Sequence, residues 1–183
     1  LSQGNIGAYG CAIDKSVEPV TDLNWRRGEG RPIAALATYL ILPSRFRTIV
    51  NGRNVDIAAH RQRLMANGYR RGVVDVYGYR WPKRMRVEDS RWGNNWHGLK
   101  LKILEKYRLN LCMENTIAPG YCSEKIWDAI RAQCLPIYWG QGTSIYDNFP
   151  QNSFIDVADF EPLDKVYDFI AAMTDEQYLR RLN

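Results

Sequence analysis

The chain has 183 residues, of which 45% are hydrophobic, so it can bury one sizeable core or most of one domain of a larger protein. Its formal charge of +5, from 25 Lys and Arg against 20 Asp and Glu, fits a nucleotide phosphate, a nucleic acid or an acidic surface as partner but falls short of a polybasic tail. The four cysteines form no C-x-x-C pair and the two histidines stand alone, which argues against a zinc framework and a disulfide scaffold. No apolar run reaches the roughly 18 residues that a membrane span needs.

The first part of the chain begins with a stretch that predicts no regular structure. Residues 1–30 are rich in glycine and polar residues, and the apolar stretch 32–43, bracketed by prolines, fits a buried element or a membrane anchor only poorly. Residues 46–51 then predict a short strand that ends at an Asn-Gly pair. Asp56 predicts the N-cap of a helix that ends near residues 67–68.

The rest of the chain alternates predicted strands with predicted helices. Between them, residues 79–96 form a basic, tryptophan-bearing loop. The predicted strands are 73–78, 109–113, 136–140 and the edge strand 154–157; the predicted helices are 99–107, a helix capped by Ser123, 163–173 and 175–182. This alternation predicts an α/β fold, with a Rossmann-like parallel sheet that carries helices on both faces.

The loop MENTIAPGYCSEK, residues 113–125, lies between a predicted strand and a predicted helix. In an open α/β sheet, ligands bind beyond the carboxyl ends of the strands, and helix N-termini attract anions. Lys125 near such an N-terminus therefore indicates a phosphate site, although an ion pair with Glu124 or Asp128 explains it equally well. Gly120 belongs to no G-x-G-x-x-G or Walker pattern, so the residues alone indicate a nucleotide or sugar-nucleotide site without an evident metal cage.

Four blocks of the second half carry a more specific signal. They are KYRLNLCMEN at 106–115, GYCSEKIWDA at 120–129, PIYWG at 136–140 and SFIDV at 153–157. In this order and spacing they closely resemble the donor-binding half of the family 10 α1,3/α1,4-fucosyltransferases. A weaker likeness continues upstream through Val50-Asn51, Arg61 and VDVYG at 74–78, so the resemblance covers about residues 45–183.

This resemblance implies a fold and a reaction. The family uses two Rossmann-like domains that face a cleft (the B type), and this chain resembles the C-terminal one, which binds GDP-fucose. We therefore expect residues 1–44 to be an extension or a remnant of an N-terminal region, and residues 45–183 to form the donor-binding domain, incomplete at its C-terminus. The implied activity is an inverting transfer of L-fucose from GDP-fucose to a hydroxyl of an acceptor glycan, in α1,3 or α1,4 linkage to GlcNAc or Glc, with no obligatory metal or cofactor.

The resemblance also assigns roles to single residues. Arg61 and Lys125 match the two basic residues that hold the diphosphate and stabilise the leaving group. Asn115, Tyr121 and Glu124 match residues that contact the nucleoside and the fucose of the donor. These five residues are the predicted substrate-binding site.

Other acidic residues in the chain are assigned no catalytic role. Glu114 matches a residue that supports the loop, and two loop aspartates, Asp156 and Asp159, are weak evidence for a metal site because a third ligand is missing. An inverting transferase also needs a general base, which in the family belongs to the N-terminal domain. Glu18 and Glu29 are the upstream candidates, but their flanking residues do not match the family, so the base is not identified.

Three alternatives remain open from the sequence. The same fold could use another sugar nucleotide, or the chain could be a non-catalytic nucleotide-sugar-binding module, which the unidentified base suggests. The basic run at 80–86 fits a nucleic-acid binder, but a solvated loop explains it better. For a bacterial protein we expect a cytoplasmic or membrane-peripheral location, which we favour, and for a eukaryotic one the Golgi lumen.

Overall fold

The computed structural model describes residues 19–21, 30–42, 45, 47–88 and 96–183, except for the side chains of residues 96 and 97. Most of the predicted extension, including Glu18 and Glu29, and the loop residues 89–95 lie outside these ranges. The described strands are β1 (Ile33–Leu36), β2 (Ile49–Val50), β3 (Arg53–Asn54), β4 (Val74–Tyr77), β5 (Leu109–Leu111), β6 (Leu135–Tyr138) and β7 (Ile155–Asp156). The described α-helices are α1 (Ala58–Arg70), α2 (Trp96–Leu104), α3 (Glu124–Arg131), α4 (Lys165–Ala172) and α5 (Asp175–Leu182).

Five strands form one parallel sheet in the order β4-β1-β5-β6-β7. In β1, Ile33 pairs with Val74 of β4 on one side and with Leu109 of β5 on the other. The chain thus adds β4 on one side of β1 and then returns past β1 to add β5, β6 and β7 on the other side. This reversal makes the carboxyl ends of β1 and β5 a topological switch point, where open α/β sheets bind their ligands.

The sequence did not predict the strand β1, which lies at the centre of the sheet. Its residues Ile33, Ala34 and Ala35 are fully buried. Alanine is depleted in strands, so local propensity indicates nothing here, and the pairing with two neighbouring strands decides the conformation. Residues 33–36 also precede the predicted domain boundary at residue 45, yet they share one sheet with β4 to β7.

The predicted strands at 73–78, 109–113, 136–140 and 154–157 are confirmed as β4, β5, β6 and β7, with β7 at the edge of the sheet. The strand predicted over 46–51 is only partly right. Its described strand residues are the two of β2, which pair antiparallel with β3 in a separate two-stranded hairpin. Asn51 and Gly52 form the turn of this hairpin with positive φ angles of 51° and 77°.

Helices cover both faces of the sheet, as predicted. Leu64 of α1 and Tyr178 of α5 belong to the core on one face, together with residues of α4. Ile126 of α3 belongs to the core on the other face, together with residues of α2. Successive residues of β1 alternate between the two, since Ala35 faces the first core and Ala34 the second. None of the helices in the described ranges has the length and apolar character that crossing a bilayer requires.

Helix α1 connects the hairpin to β4 and brings Arg61 to the switch point. Before it, Asp56 accepts a hydrogen bond from the Ala58 N–H at 2.9 Å, while Ile57 occupies the N-cap position. This i to i+2 bond is an Asx turn. The predicted N-cap at Asp56 is therefore wrong by one residue, and the helix begins one residue later than predicted. The helix also runs past the predicted end at residues 67–68 as far as Arg70.

Only glycine fits at position 68 of α1, because the helix packs closely on β4 and α4 there. A Cβ atom at Gly68 would lie 2.2 Å from Val74 Cγ2 and 2.7 Å from the Tyr167 hydroxyl. That hydroxyl donates a hydrogen bond of 2.8 Å to the Leu64 carbonyl, so it is not free to move aside.

We expect Gly68→Ala to lower the free energy of unfolding by up to about 2 kcal/mol, because overpacking costs about 1–3 kcal/mol and the helix-propensity gain of about 1 kcal/mol offsets only part of it. Urea denaturation measures this difference. Gly30→Ala is the control, since among the described residues no atom outside its chain neighbours lies within 4 Å of a Cβ there. Equal stability of the two variants would contradict the close packing of α1.

Candidate functional site

The loop between β5 and α3 lies at the carboxyl edge of the sheet, next to the start of α1. The Ile57 N–H donates to the Asn115 carbonyl at 2.8 Å, and the Ile117 N–H donates to the Val55 carbonyl at 2.7 Å. These bonds join the loop to the segment that leads into α1. The loop that leads into α3 therefore lies beside the N-terminus of α1, and helix N-termini favour bound anions.

The buried carboxylate of Glu114 organises this loop. It is 2% exposed, and its Oε1 accepts hydrogen bonds from the Ser123 N–H at 2.8 Å and from the Ser123 hydroxyl at 2.6 Å. Its Oε2 accepts a charge-assisted bond of 2.7 Å from Lys125 Nζ, which also donates to Ser123 Oγ at 2.8 Å. The predicted supporting role of Glu114 agrees with these contacts. Ser123 stands at the N-cap position of α3, but its hydroxyl bonds to Glu114 and not to the helix N–H groups.

Of the two ion-pair partners that the sequence suggested for Lys125, Glu124 forms a long ion pair with it and Asp128 is wrong. Glu124 Oε1 lies 4.0 Å from Lys125 Nζ, at the limit of an ion pair, and Asp128 pairs instead with Lys100 at 2.7 Å. Lys100, which sequence reasoning missed, is 7% exposed and also lies 3.9 Å from Glu124 Oε1. Because its partner is on another helix, no local spacing in the sequence could have indicated this pair.

Arg61 reaches the same loop from α1. It is 7% exposed, and its Nη1 donates to the Met113 carbonyl at 2.9 Å. Burial lowers the pKa of the Arg61 guanidinium below its usual value, while the Glu114 and Asp56 carboxylates oppose this shift. Its buried Nε has no hydrogen-bond partner in the described part of the chain. A buried donor on a cation is costly to leave unpaired, so Arg61 has capacity for a further acceptor.

The structure thus brings the two predicted basic residues to adjacent residues of one loop. Arg61 holds the Met113 carbonyl, and Lys125 holds the Glu114 carboxylate. Their partners in the chain are 52 and 11 residues away, respectively. The tertiary fold, and not a local motif, creates this pair of cations.

The other three predicted site residues lie around these cations with accessible side chains. Asn115 is exposed, and the Tyr121 ring is 41% exposed. Glu124 is the first residue of α3, with a side chain that is 42% exposed. Burial raises the pKa of Glu124, but Lys125, a backbone N–H and Lys100 together outweigh it, so the net pKa falls below the usual 4.5. Glu124 is therefore an anionic acceptor at neutral pH.

His60 and Trp139 add an aromatic contact beside Arg61 that the sequence did not indicate. Their ring centroids lie 6.1 Å apart in an edge-to-face arrangement. Burial lowers the pKa of His60 below 6.5, the nearby Arg63 lowers it further, and Asp56 opposes both. The imidazole is therefore neutral at pH 7.

We expect this lowered pKa to make the folded state less stable in mild acid. The unfolded chain binds a proton at His60 near pH 6.5 and the folded chain binds it only at lower pH, so the free energy of unfolding falls as the pH decreases through about 6.5. In His60→Gln, this part of the pH dependence disappears. Denaturation series between pH 7.5 and about 5 measure both slopes, and identical slopes would contradict the assignment.

Asp156, interpreted from the sequence as a loop residue, is the last residue of β7 and has a structural role. Its Oδ1 accepts bonds from the Gly140 N–H at 3.0 Å and the Ala158 N–H at 2.9 Å, and its Oδ2 accepts one from the Tyr146 hydroxyl at 2.6 Å. These bonds fix the loop after β6 against the start of the 3-10 helix Val157–Asp159. Within the described ranges, His, Cys, Asp and Glu side chains form no cluster of three or more that could hold a metal ion.

A model of the family described as "Glycosyltransferase family 10 (fucosyltransferase) C-term" matches residues 49–181. The chain belongs to this family. The resemblance found in the sequence blocks is therefore confirmed. The match includes the hairpin, helix α1 with Arg61, and the whole loop that carries Glu114 and Lys125.

Individual fucosyltransferases are similar over shorter stretches. The chain is 44% identical over 71 residues to the alpha-(1,3)-fucosyltransferase FucT of Helicobacter pylori, which covers 39% of this chain and 15% of that protein. It is 34% identical over 89 residues to the 3-galactosyl-N-acetylglucosaminide 4-alpha-L-fucosyltransferase FUT3 of Bos taurus, covering 48% of this chain and 24% of that one. The matches thus span a quarter or less of these family members.

The fold matches solved structures of the family as well. Crystal structures of alpha1,3-fucosyltransferase with GDP-fucose and with GDP each superpose with a TM-score of 0.59 at 27% identity, over 84% of this chain and 38% of theirs. The predicted α/β fold is confirmed. This chain therefore spans well under half of the solved fucosyltransferase chain.

Proposed function

We propose that this chain is the donor-binding part of an inverting fucosyltransferase, which moves L-fucose from GDP-fucose to a hydroxyl of an acceptor glycan. The observation that carries the proposal is the convergence of Arg61 and Lys125 on Met113 and Glu114 at the switch point, in a chain of the fucosyltransferase family. Two cations beside two helix N-termini form a site for a diphosphate.

In this proposal, the two cations stabilise the leaving group. As the bond between fucose and GDP breaks, negative charge grows on the diphosphate, and preorganised cations in a partly dry site lower the energy of that state. Arg61 can offer a phosphate oxygen its Nε, which has no partner among the described residues, and Lys125 acts as a point charge. Glu124, which is anionic, accepts hydrogen bonds from sugar hydroxyls, and Asn115 and Tyr121 contact the nucleoside and fucose.

The general base is assigned to no described residue. The Glu114 carboxylate already accepts three hydrogen bonds, so it is a poor proton acceptor. The lowered pKa of Glu124 makes it a weak base as well. We therefore propose that the base lies in a part of the protein beyond the described residues. The same part binds the acceptor glycan, on which fucose is placed in α1,3 or α1,4 linkage to GlcNAc or Glc.

We also propose a domain start and a location. Since β1 pairs with both β4 and β5, the donor-binding domain begins before Ile33 and not at residue 45. The free thiols of Cys112, Cys122 and Cys134 fit a reducing compartment such as the cytoplasmic side of a bacterial cell, and the similar proteins include both a bacterial and a mammalian fucosyltransferase.

Calorimetric titration with GDP-fucose, GDP, GDP-mannose and a UDP-sugar tests the donor. We expect GDP-fucose and GDP to bind, and GDP-mannose and the UDP-sugar to bind at least tenfold more weakly, a difference of about 1.4 kcal/mol. Preference for another sugar nucleotide would replace the donor assignment. Failure to bind any of them would overturn the proposed function.

A second candidate is a non-catalytic nucleotide-sugar-binding module. It is favoured because the Glu114 carboxylate already accepts three hydrogen bonds and is a poor general base. Both candidates bind GDP-fucose, so the reaction itself distinguishes them. Incubation of the full-length gene product with labelled GDP-fucose and a lactosamine acceptor separates the two: fucosyl product supports the enzyme. Donor binding with neither transfer nor hydrolysis supports the module.

A further inference from the structure

We propose that Glu114 is a positioning residue that holds the Lys125 ammonium in place for an anionic ligand. The inference rests on the proposed function, because it concerns the same diphosphate site. It assigns to Glu114 a second task besides supporting the loop. The two oxygens of its carboxylate divide these tasks between them.

The Oε1 atom closes the loop. It accepts both the N–H and the hydroxyl of Ser123, at 2.8 and 2.6 Å, and thereby ties the end of β5 to the start of α3. This oxygen alone accounts for a structural role. If Glu114 had only that role, the second oxygen would need no specific partner.

The Oε2 atom faces Lys125. Within the described ranges its hydrogen-bond partner is Lys125 Nζ at 2.7 Å, and the Ser123 hydroxyl takes a second Nζ proton at 2.8 Å. Two of the three ammonium protons are therefore used by the loop. Among the described residues the third has only Glu124 Oε1 near it, at 4.0 Å, beyond hydrogen-bond distance, so it can serve a ligand. The Lys125 side chain is 23% exposed while that of Glu114 is 3% exposed, so the cation, and not the carboxylate, faces the solvent side.

Positioning matters because a lysine side chain is long and flexible. A free ammonium on four carbons loses much rotamer entropy when it binds a phosphate, and a cation that is already held loses less. Glu114 supplies this order before the ligand arrives. Its charge also offsets part of the repulsion between Lys125 and Arg61, both of which lie at this loop.

A double-mutant cycle with GDP as the ligand tests the proposal. In Glu114→Gln, the remaining carbonyl oxygen can still accept from Ser123, while the amide N–H₂ group cannot accept from Lys125. We expect this substitution to weaken GDP binding about tenfold with Lys125 present and less than about twofold in a Lys125→Ala background. Calorimetry gives the four dissociation constants.

A purely structural role predicts a different result. Distortion of the loop would weaken GDP binding by the same factor in both backgrounds, and that outcome would overturn the proposal. Unchanged or tighter GDP binding by Glu114→Gln would overturn it too, because Glu114 would then compete with the ligand for Lys125. If the unaltered protein binds no GDP, the proposed function fails first and the positioning role with it.

Two further variants complete the experiment. Glu114→Asp keeps the charge but shortens the side chain, so we expect a Lys125-dependent loss of GDP affinity here as well, and it replaces Glu114→Gln if that variant does not fold. Glu176→Gln is the matched control, since it removes an exposed carboxylate from the ion pair with Arg180 on α5. We expect its GDP affinity to be unchanged.

Discussion

We expect Lys125→Ala to weaken GDP binding by about 1.5–3 kcal/mol, a tenfold to roughly 150-fold rise in Kd, because the ligand loses a charge-assisted contact. The ammonium lies at the N-terminus of α3, held by Glu114 and Ser123. Isothermal titration with GDP measures the effect. This loss of GDP affinity is one of the two largest that we expect, because Lys125→Ala removes a cation that is already held in position.

The substitution also leaves the Glu114 carboxylate without its cation. A 3% exposed charge that loses its partner destabilises the fold, and since the Lys125 side chain is partly exposed, water compensates for some of that loss. Affinity must therefore be compared at a temperature where the variant is folded. Lys165→Ala is the control, because Lys165 is an exposed lysine in the first turn of α4. Equal GDP affinities of both variants would place the diphosphate elsewhere.

We expect the second large effect from Arg61. Arg61→Ala removes a buried guanidinium that holds the Met113 carbonyl and whose Nε has no partner within the described ranges, so GDP binding weakens by about 1.5–3 kcal/mol. Arg61→Lys recovers only part of this loss. A lysine can serve the carbonyl or the phosphate as a point charge, but it has no planar array of donors to reach both.

Arg63→Ala provides the comparison for Arg61. Arg63 lies two residues further along α1, is exposed, and contacts His60 Nδ1 at 3.3 Å. We expect it to bind GDP as the unaltered protein does. If Arg61→Lys retains full affinity, the guanidinium geometry has no role; if Arg63→Ala loses as much as Arg61→Ala, the effect comes from net charge alone.

The parts of the fold that the sequence predicted are those with strong local signals. The β-branched run of β4 and the Ser-Glu-Lys start of α3 indicate their elements without help from the rest of the chain. The strand β1 could not be predicted in this way, because its two alanines favour no strand and its partners are distant: Asn110 bonds to the Ala34 carbonyl across 76 residues.

In the candidate site, too, local sequence signals predicted some features, and others depend on contacts between distant residues. The resemblance to the family named Arg61 and Lys125, but their contacts depend on tertiary structure. Local spacing suggested Glu124 or Asp128 as partner for Lys125. Glu124 lies at 4.0 Å, and the fold supplies a closer partner, Glu114 at 2.7 Å, from the far end of the loop. His60 and Lys100 carried no signal, because a histidine beside a tryptophan and a buried lysine become visible only when helices and strands are assembled.

The central position of β1 has a practical consequence for work with this domain. A polypeptide that begins at residue 45 lacks β1, so β4 and β5 each expose a row of unpaired backbone groups on the side where β1 lay. Exposed strand edges pair with other chains, which leads to aggregation. Size-exclusion chromatography of chains that begin before Ile33 and at residue 45 would show this difference, with monomers only for the longer chain. The residues of β1 thus lie far from the ligand site in sequence, yet the domain that carries the site depends on them to remain soluble.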